Sequence, residues 1–309
     1  MSSSGDAADR AVQKLPLWDT ICLSYSTFFH NCRDVLLICW LWLIVLAPLM
    51  TLENAMQWSL IAKTIADLKQ TSLPPRFVSV SMPIDLRILI YGVGLLYMLA
   101  GVSIAVAWHR RIILGEQPQL SGSNIGAGSF WRYAGVGIAI LLLAFAPMVL
   151  GFLVLGLFLF PFISHATPAA LHLGTVAPIA LIMLVLYLAG IAVMLRLCLL
   201  LPARAVGDLG VTFTQAWNRT RGNTWRIFCG ILACTLPPML IIEIVAWVFV
   251  GFPRPQNFAT GSLPVSVLII SAIFTVCYLL TLPIWIGFLS LSYLHFFERR
   301  PGSGSTVPA

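Results

Sequence analysis

Apolar residues run in long blocks through most of this chain, and polar residues are confined to shorter stretches between them. A helix needs about 20 apolar residues to cross roughly 30 Å of hydrocarbon at about 1.5 Å per residue. Six blocks meet that requirement: Val35–Leu52, Ile88–Trp108, Tyr133–Phe160, Val176–Leu201, Ile227–Gly251 and Val265–Phe297. The pattern predicts an all-α protein, a polytopic transmembrane helical bundle of six spans. It divides the chain into an N-terminal segment over 1–34, a transmembrane domain over 35–297 and a short tail over 298–309. Pro147, Pro237, Pro238 and Pro283 fall inside spans and mark candidate kinks.

Three stretches outside the blocks are amphipathic. Trp18, Ile21, Tyr25 and Phe28 recur at helical spacing ahead of span 1. Trp58, Ile61, Ile65 and Leu68 do so in the first connection, and Phe213, Trp217 and Thr220 ahead of span 5. Helices with one aromatic face are expected to lie in the headgroup layer. The odd spans follow TFFHNCRD, SFWRYAG and NTWRIFCG, which hints at three copies of an interfacial helix plus two spans.

Charge then orients the bundle. Only 9% of residues are charged, against roughly 25% in a soluble domain, so most of the surface must be solvated by lipid. With the N-terminus inside, Arg10, Lys14, Arg33, Arg110, Arg111, Arg132, Arg196, Arg204, Arg219, Arg221, Arg226, Arg299 and Arg300 fall on the cytoplasmic side. Lys63, Lys69, Arg76, Arg87 and Arg254 fall outside. Because cytoplasmic connections retain the excess of Lys and Arg, both termini are expected in the cytoplasm. Reporter fusions after Pro118, Asp208 and Arg300 should therefore read cytoplasmic, and those near Thr71, His165 and Asn257 external; a cytoplasmic signal from the His165 connection would reject this topology. The net charge of +7 contains no Lys/Arg run suited to nucleic acid, so anionic lipid headgroups are the expected partner. The first twenty residues mix acidic and basic groups without an apolar core, so no cleaved leader is expected and span 1 should remain as an anchor.

Two stretches are more specific than hydropathy. One is VAWHRRIILGEQP, Val106 to Pro118; the other runs from Leu195 to Phe228. The second has Arg196 late in a span, Leu201-Pro202 at its exit, then Asp208, then Ala216-Trp217, Thr220, Gly222-Asn223 and Trp225-Arg226 leading into the next span. This resembles uncharacterised bacterial multi-pass inner-membrane proteins related to the membrane domain of glycerophosphodiester phosphodiesterases. The resemblance implies the bacterial cytoplasmic membrane and a helical bundle with cytoplasmic interfacial helices. It does not imply phosphodiesterase chemistry, which in that family belongs to a soluble barrel for which no segment outside the spans is long enough.

Candidate chemistry is sparse. No HExxH, GxSxG, Walker A or paired CxxC motif occurs, and the seven cysteines suit apolar packing. The glycine-rich SGSNIGAGS lacks the Lys of a phosphate loop. His165 and His172 make a poor metal pair without a carboxylate, and neither cofactor nor metal is expected. Ionisable residues inside spans are functional candidates because burying them is costly. Glu243, flanked by Ile and Leu, and Arg196 form the candidate intramembrane polar site. Arg110, Arg111, Arg219, Arg221 and Arg226 are candidate lipid-headgroup contacts, with Trp108, Trp217 and Trp225 anchoring their depth and guanidinium forks suited to phosphate. Asp208 and Asn223 read as helix-start residues, with Gly222 as a stop. The leading expectation is a non-enzymatic membrane protein meeting lipids or membrane partners through its interfacial helices. The alternative is a small-solute or lipid transporter with its path through spans 3, 5 and 6 beside Glu243.

Overall fold

The computed structural model describes residues 14–70, 82–118, 128–165, 173–250 and 265–298, and no strand occurs among them. The helices are α1 (Leu17–His30), α2 (Cys32–Gln70), α3 (Ile84–Leu114), α4 (Gly128–His165), α5 (Leu173–Leu197), α6 (Leu200–Val206), α7 (Phe213–Arg219), α8 (Thr224–Val250) and α9 (Val265–Tyr293), the last continued by a π turn over Leu294–Glu298. Six long segments are apolar enough to cross a bilayer: Cys32–Ile61, Ile84–Leu114, Gly128–Val154, Ala180–Val206, Thr224–Val245 and Leu268–Phe297. The chain is thus a polytopic α-helical bundle with the expected spans.

Burial is concentrated at one end of this bundle. The Asp34–Arg111 ion pair sets the start of α2 level with the end of α3. Arg196 near the end of α5 reaches Thr224 at the start of α8, and Arg219 of α7 reaches the carbonyl of Phe296 just beyond α9. Chain entry at α1 and exit after α9 therefore share this end, which α1, α6 and α7 close. Around it lie the fully buried side chains of Trp108, Phe130, Leu199, Leu200, Ile227 and Phe288. Along the rest of α4 and α5, by contrast, residues such as Leu142, Phe152, Leu157 and Leu181 are exposed, as a lipid-facing surface requires.

Small residues bring α4 and α5 together. A Cβ on Gly190 of α5 would stand 2.5 Å from the backbone oxygen of Ala144 on α4, and one on Gly151 would meet Leu186 at 2.9 Å. Gly137, Ala144 and Gly151 are spaced seven apart, so they share one face of α4; it meets α5 at Ala144 and Gly151 and Leu201 of α6 at Gly137.

The structure revises three expectations. The first amphipathic stretch is α1, and its face is divided: Trp18 is 72% exposed, whereas Ile21 turns inward. Ile21 is 6% exposed and Ser24 1%, because α1 docks on α8 and α9. The Ser24 hydroxyl donates to the Ile284 carbonyl, and the Tyr25 hydroxyl donates to Ala233 O at 2.9 Å. Burial, with a smaller contribution from Cys234, pushes the Tyr25 phenol up to about 12, so it keeps its proton and its donor role at physiological pH. Gly287 makes this docking possible, since a Cβ there would meet Ser24 Oγ at 3.0 Å and Trp108 Nε1 at 3.3 Å.

The second stretch, around Trp58 and Ile61, is no separate helix but the continuation of α2, which runs unbroken for 39 residues. Nothing in Glu53-Asn54-Ala55-Met56-Gln57 breaks a helix, so the turn after Leu52 that hydropathy suggested does not form. The side chains of Ile65 and Leu68 lie outside the described ones.

The third revision concerns helix starts. The expected helix before span 5 is present as α7, but its cap is Thr212, in a reciprocal capping box with Gln215. Asp208 instead accepts from the backbone of Gly210 and, at 2.7 Å, from the Tyr293 hydroxyl. Asn223 does stand directly before α8, after Gly222 at φ 79°. Its side-chain oxygen accepts the Leu15 N–H at 3.0 Å, which ties the N-terminal segment to the bundle. Of the three suggested hairpin units, α1 and α7 supply two leading helices; residues 119–127, ahead of the remaining one, lie outside the described residues.

Candidate intramembrane binding site

The residues singled out from sequence are not brought together. Glu243 is exposed on the surface of α8, flanked by exposed Ile241 and Ile244. Arg196 is held at the closed end, its guanidinium 4.4 Å over the Trp217 ring and its Nε 3.3 Å from Thr224 Oγ1. That geometry, a cation on an aromatic face plus a hydroxyl, fastens α5 to α7 and α8.

Most of the arginines expected to meet headgroups have partners within the protein. Arg111 binds Asp34 at 2.7 Å and Asn31 at 3.2 Å, with the two charged side chains only 23% and 16% exposed. Arg110 makes a two-pronged contact with Glu116 and reaches Ala205 O at 3.3 Å. Arg219 donates to Phe296 O at 3.1 Å, and Arg226 to Leu15 O at 2.6 Å. Arg221 is exposed. Arg110 and Arg219 satisfy carbonyls at the end of α6 and in the π turn after α9, and Arg226 ties down the segment before α1, which is an internal reason for a cationic cluster. Of the tryptophans expected to set their depth, Trp225 is 71% exposed whereas Trp108 is buried.

One polar pair inside the bundle was invisible in sequence. His109 of α3 is fully buried, with Nδ1 2.7 Å from Ser290 Oγ of α9. The Ser290 hydroxyl also lies 3.1 Å from Ile286 O, one turn back in its own helix. Ser290 is itself 0% exposed, so this is no accessible nucleophile.

The cavity that does combine chemistry with access lies between α2, α3 and α9. It encloses about 570 Å³, within the roughly 300–1,000 Å³ of small-molecule sites, and is lined by Met50, Glu53, Asn54, Ile90, Val93, Gly94, Tyr97, Ser271, Phe274, Thr275 and Tyr278. Its depth follows from helix rise. Counting from the level of the Asp34–Arg111 pair, Tyr97 stands about 21 Å and Glu53 about 28 Å along their helices. The site therefore occupies the half of the bundle away from the closed end. Tyr97 and Tyr278 face one another with ring centroids 5.5 Å apart at the deep end. Thr275 spends its hydroxyl on Ser271 O at 2.8 Å, as a membrane helix must when no water is at hand. Glu53 Oε1 accepts from Gln57 Nε2 at 2.8 Å, one turn along.

A second hollow of about 580 Å³, between α3 and α4, differs in kind: Met98, Ile138, Leu141, Leu142, Phe145, Ala146, Val149, Leu150 and Leu153 line it, without a polar side chain. Such a groove suits lipid tails and selects nothing. Among the described residues no group of three metal-ligating side chains forms, and His165 and His172 lie outside the described side chains. All seven cysteines are unpaired.

Fold and cavity together define a polytopic integral membrane protein with a partly polar hollow opening in one half of its transmembrane bundle. Comparison with protein-family models, with curated proteins and with solved structures returns no match. The likeness drawn from Val106–Pro118 and Leu195–Phe228 rests on those residues alone.

Proposed function

We propose that this is a non-enzymatic protein of the bacterial cytoplasmic membrane that holds a lipid-like amphiphile inside the bilayer, with its closed end in the cytoplasm. One observation carries the reading. The cavity between α2, α3 and α9 joins apolar walls, Met50, Ile90, Val93 and Phe274, to Glu53 and Asn54 at the end nearer the membrane surface. An acyl chain would lie against the first group and a polar head against the second. The charge distribution supports the orientation, because the arginine-rich connections meet at the closed end.

Gly94 supplies the test. It lines the cavity, and a Cβ there would meet no atom within 4 Å, so a side chain leaves the backbone without a clash and projects into the hollow. Gly94→Phe is expected to fold normally and to lose a co-purified amphiphile that the parent retains in native mass spectrometry. Gly92→Phe, equally unobstructed but not on the cavity wall, serves as the control. Equal retention in all three proteins would reject the cavity as the binding site.

The transporter reading keeps one observation in its favour: the cavity is open in one half while packed side chains seal the other. Buried Pro283 of α9 lies five residues below Tyr278, where a kink could change that seal. Uptake by proteoliposomes of the amphiphile lost from Gly94→Phe separates a carrier from a static binder.

A further inference from the structure

We infer that the α2/α3/α9 cavity selects amphiphiles whose head carries an ammonium group, with Glu53 as counter-ion and the Tyr97–Tyr278 pair as an aromatic wall. The inference rests on the amphiphile reading and adds the chemistry of the head. It starts from the residue types on the wall. Among the described lining residues Glu53 alone carries a charge in water at neutral pH, and none of them is Lys, Arg or His. An anionic head placed there would face a carboxylate in a medium of low dielectric, where like charges repel strongly. A cationic head meets an attractive partner in the same medium.

Geometry sharpens this. Gln57 Nε2 occupies Glu53 Oε1 at 2.8 Å, which orients the carboxylate and leaves Oε2 for a ligand. Asn54, beside it on the wall, adds an amide oxygen that an N–H head could also use. Tyr97 and Tyr278, their rings tilted 45° against one another, line the same cavity about 7 Å below Glu53, within reach of the methyl groups of an ammonium head. A single carboxylate with aromatic neighbours is a poor site for a divalent metal, which wants several oxygen ligands. It is a good one for a singly charged organic cation with an apolar body. Glu53 is partly buried near the open end of the cavity, and a cationic ligand offsets the cost of covering it further.

The test uses the full-length protein in nanodiscs of a neutral glycolipid, which carries no ammonium group, and three photoreactive probes sharing one diazirine-bearing alkyl chain: an alkyl trimethylammonium, an alkyl sulfate and an alkyl maltoside. Cross-linked peptides are read by mass spectrometry. The expected result is that the ammonium probe labels α2, α3 and α9 about tenfold more than the sulfate, as a desolvated charge pair with an aromatic face warrants. Glu53→Gln should abolish that preference and leave maltoside labelling unchanged, which also shows that the variant folds. Tyr97→Phe should keep the preference and Tyr97→Leu reduce it about threefold, because the ring face and not the hydroxyl is needed. Doping the nanodiscs with an ethanolamine phospholipid identifies the source of the ammonium: competition points to a resident lipid, its absence to a free amine amphiphile, and the preference stands in both cases. Equal ammonium and sulfate labelling, or a preference that survives Glu53→Gln, overturns the inference while maltoside labelling that disappears in Gly94→Phe keeps the cavity reading. Maltoside labelling unaffected by Gly94→Phe overturns both.

Discussion

Gly190→Leu is expected to leave little folded protein, and Gly190→Ala to cost net stability although alanine is the better helix former. The added methyl would stand 2.5 Å from the backbone oxygen of Ala144. A flexible side chain could turn away; a carbonyl fixed in the α4 hydrogen-bond ladder cannot. The helices must separate, and separation strips close contacts from the seam at Ala144 and Gly151, which in a bilayer no hydrophobic drive between helices replaces. Helix propensity favours alanine by about 1 kcal/mol. Overpacking a tight contact costs about 1–3 kcal/mol, and a backbone obstacle belongs at the upper end. The net for Gly190→Ala is therefore a loss of about 2 kcal/mol. Gly135, on the same α4 but with nothing within 4 Å of its Cβ, gives the contrast: Gly135→Ala should be neutral or stabilising. Melting in mild detergent, followed by tryptophan fluorescence, decides the matter. If Gly190→Ala melts at or above the parent temperature, the α4–α5 seam is not packed through this glycine.

The second large effect is expected at Asp34. Asp34→Ala leaves the Arg111 guanidinium with Asn31 alone, in a site where both charged side chains are mostly covered. Breaking a fully buried pair from one side costs about 3–5 kcal/mol; with residual exposure of 23% and 16%, screening brings the expected loss to about 2 kcal/mol. The double variant Asp34→Leu with Arg111→Met should recover most of it, because apolar residues of similar size at once remove the charge and the need for its partner. Arg111→Met alone should cost less than Asp34→Ala, since a lone carboxylate can be protonated and a guanidinium stays charged. The same melting assay applies to all three. A double variant no more stable than Asp34→Ala would show that the pair contributes through shape or hydrogen bonding to Asn31, not through charge.

These two sites show how unevenly the sequence spoke. The seven-residue spacing of Gly137, Ala144 and Gly151 was on the page, yet a small-residue stripe does not say which helix it meets. Asp34 and Arg111 are 77 residues apart, and Arg111 was read as a lipid contact because a cation at the end of a span has an obvious external role. Glu53 was missed for a different reason. Hydropathy ended span 1 at Leu52, which put the carboxylate in a connection, whereas helix propensity carries α2 straight through Glu53-Asn54-Ala55-Met56-Gln57. Reading propensity alongside hydropathy would have kept Glu53 inside a helix and made it a rival to Glu243 as the intramembrane carboxylate.

By itself the sequence determined the solvent and the architecture it permits. With 9% charged residues and six apolar blocks, the backbone polar groups must be satisfied within helices, and the number and approximate limits of the spans follow. Local signals of the same kind held where the interaction is local: the stop at Gly222, the start at Asn223, the short helix around Trp217. Only the tertiary structure decided which face each helix turns inward, because a uniformly apolar helix presents lipid and neighbour with nearly the same free energy. That decision docked α1 on α8 and α9, turned Glu243 outward, and set Glu53, Tyr97 and Tyr278 around one hollow. Its physical origin is close packing. Where Gly190, Gly230 and Gly287 allow another helix to approach, through Ala144, Phe288 and Ser24 in turn, helices meet, and the polar groups left facing the gaps between them make the site.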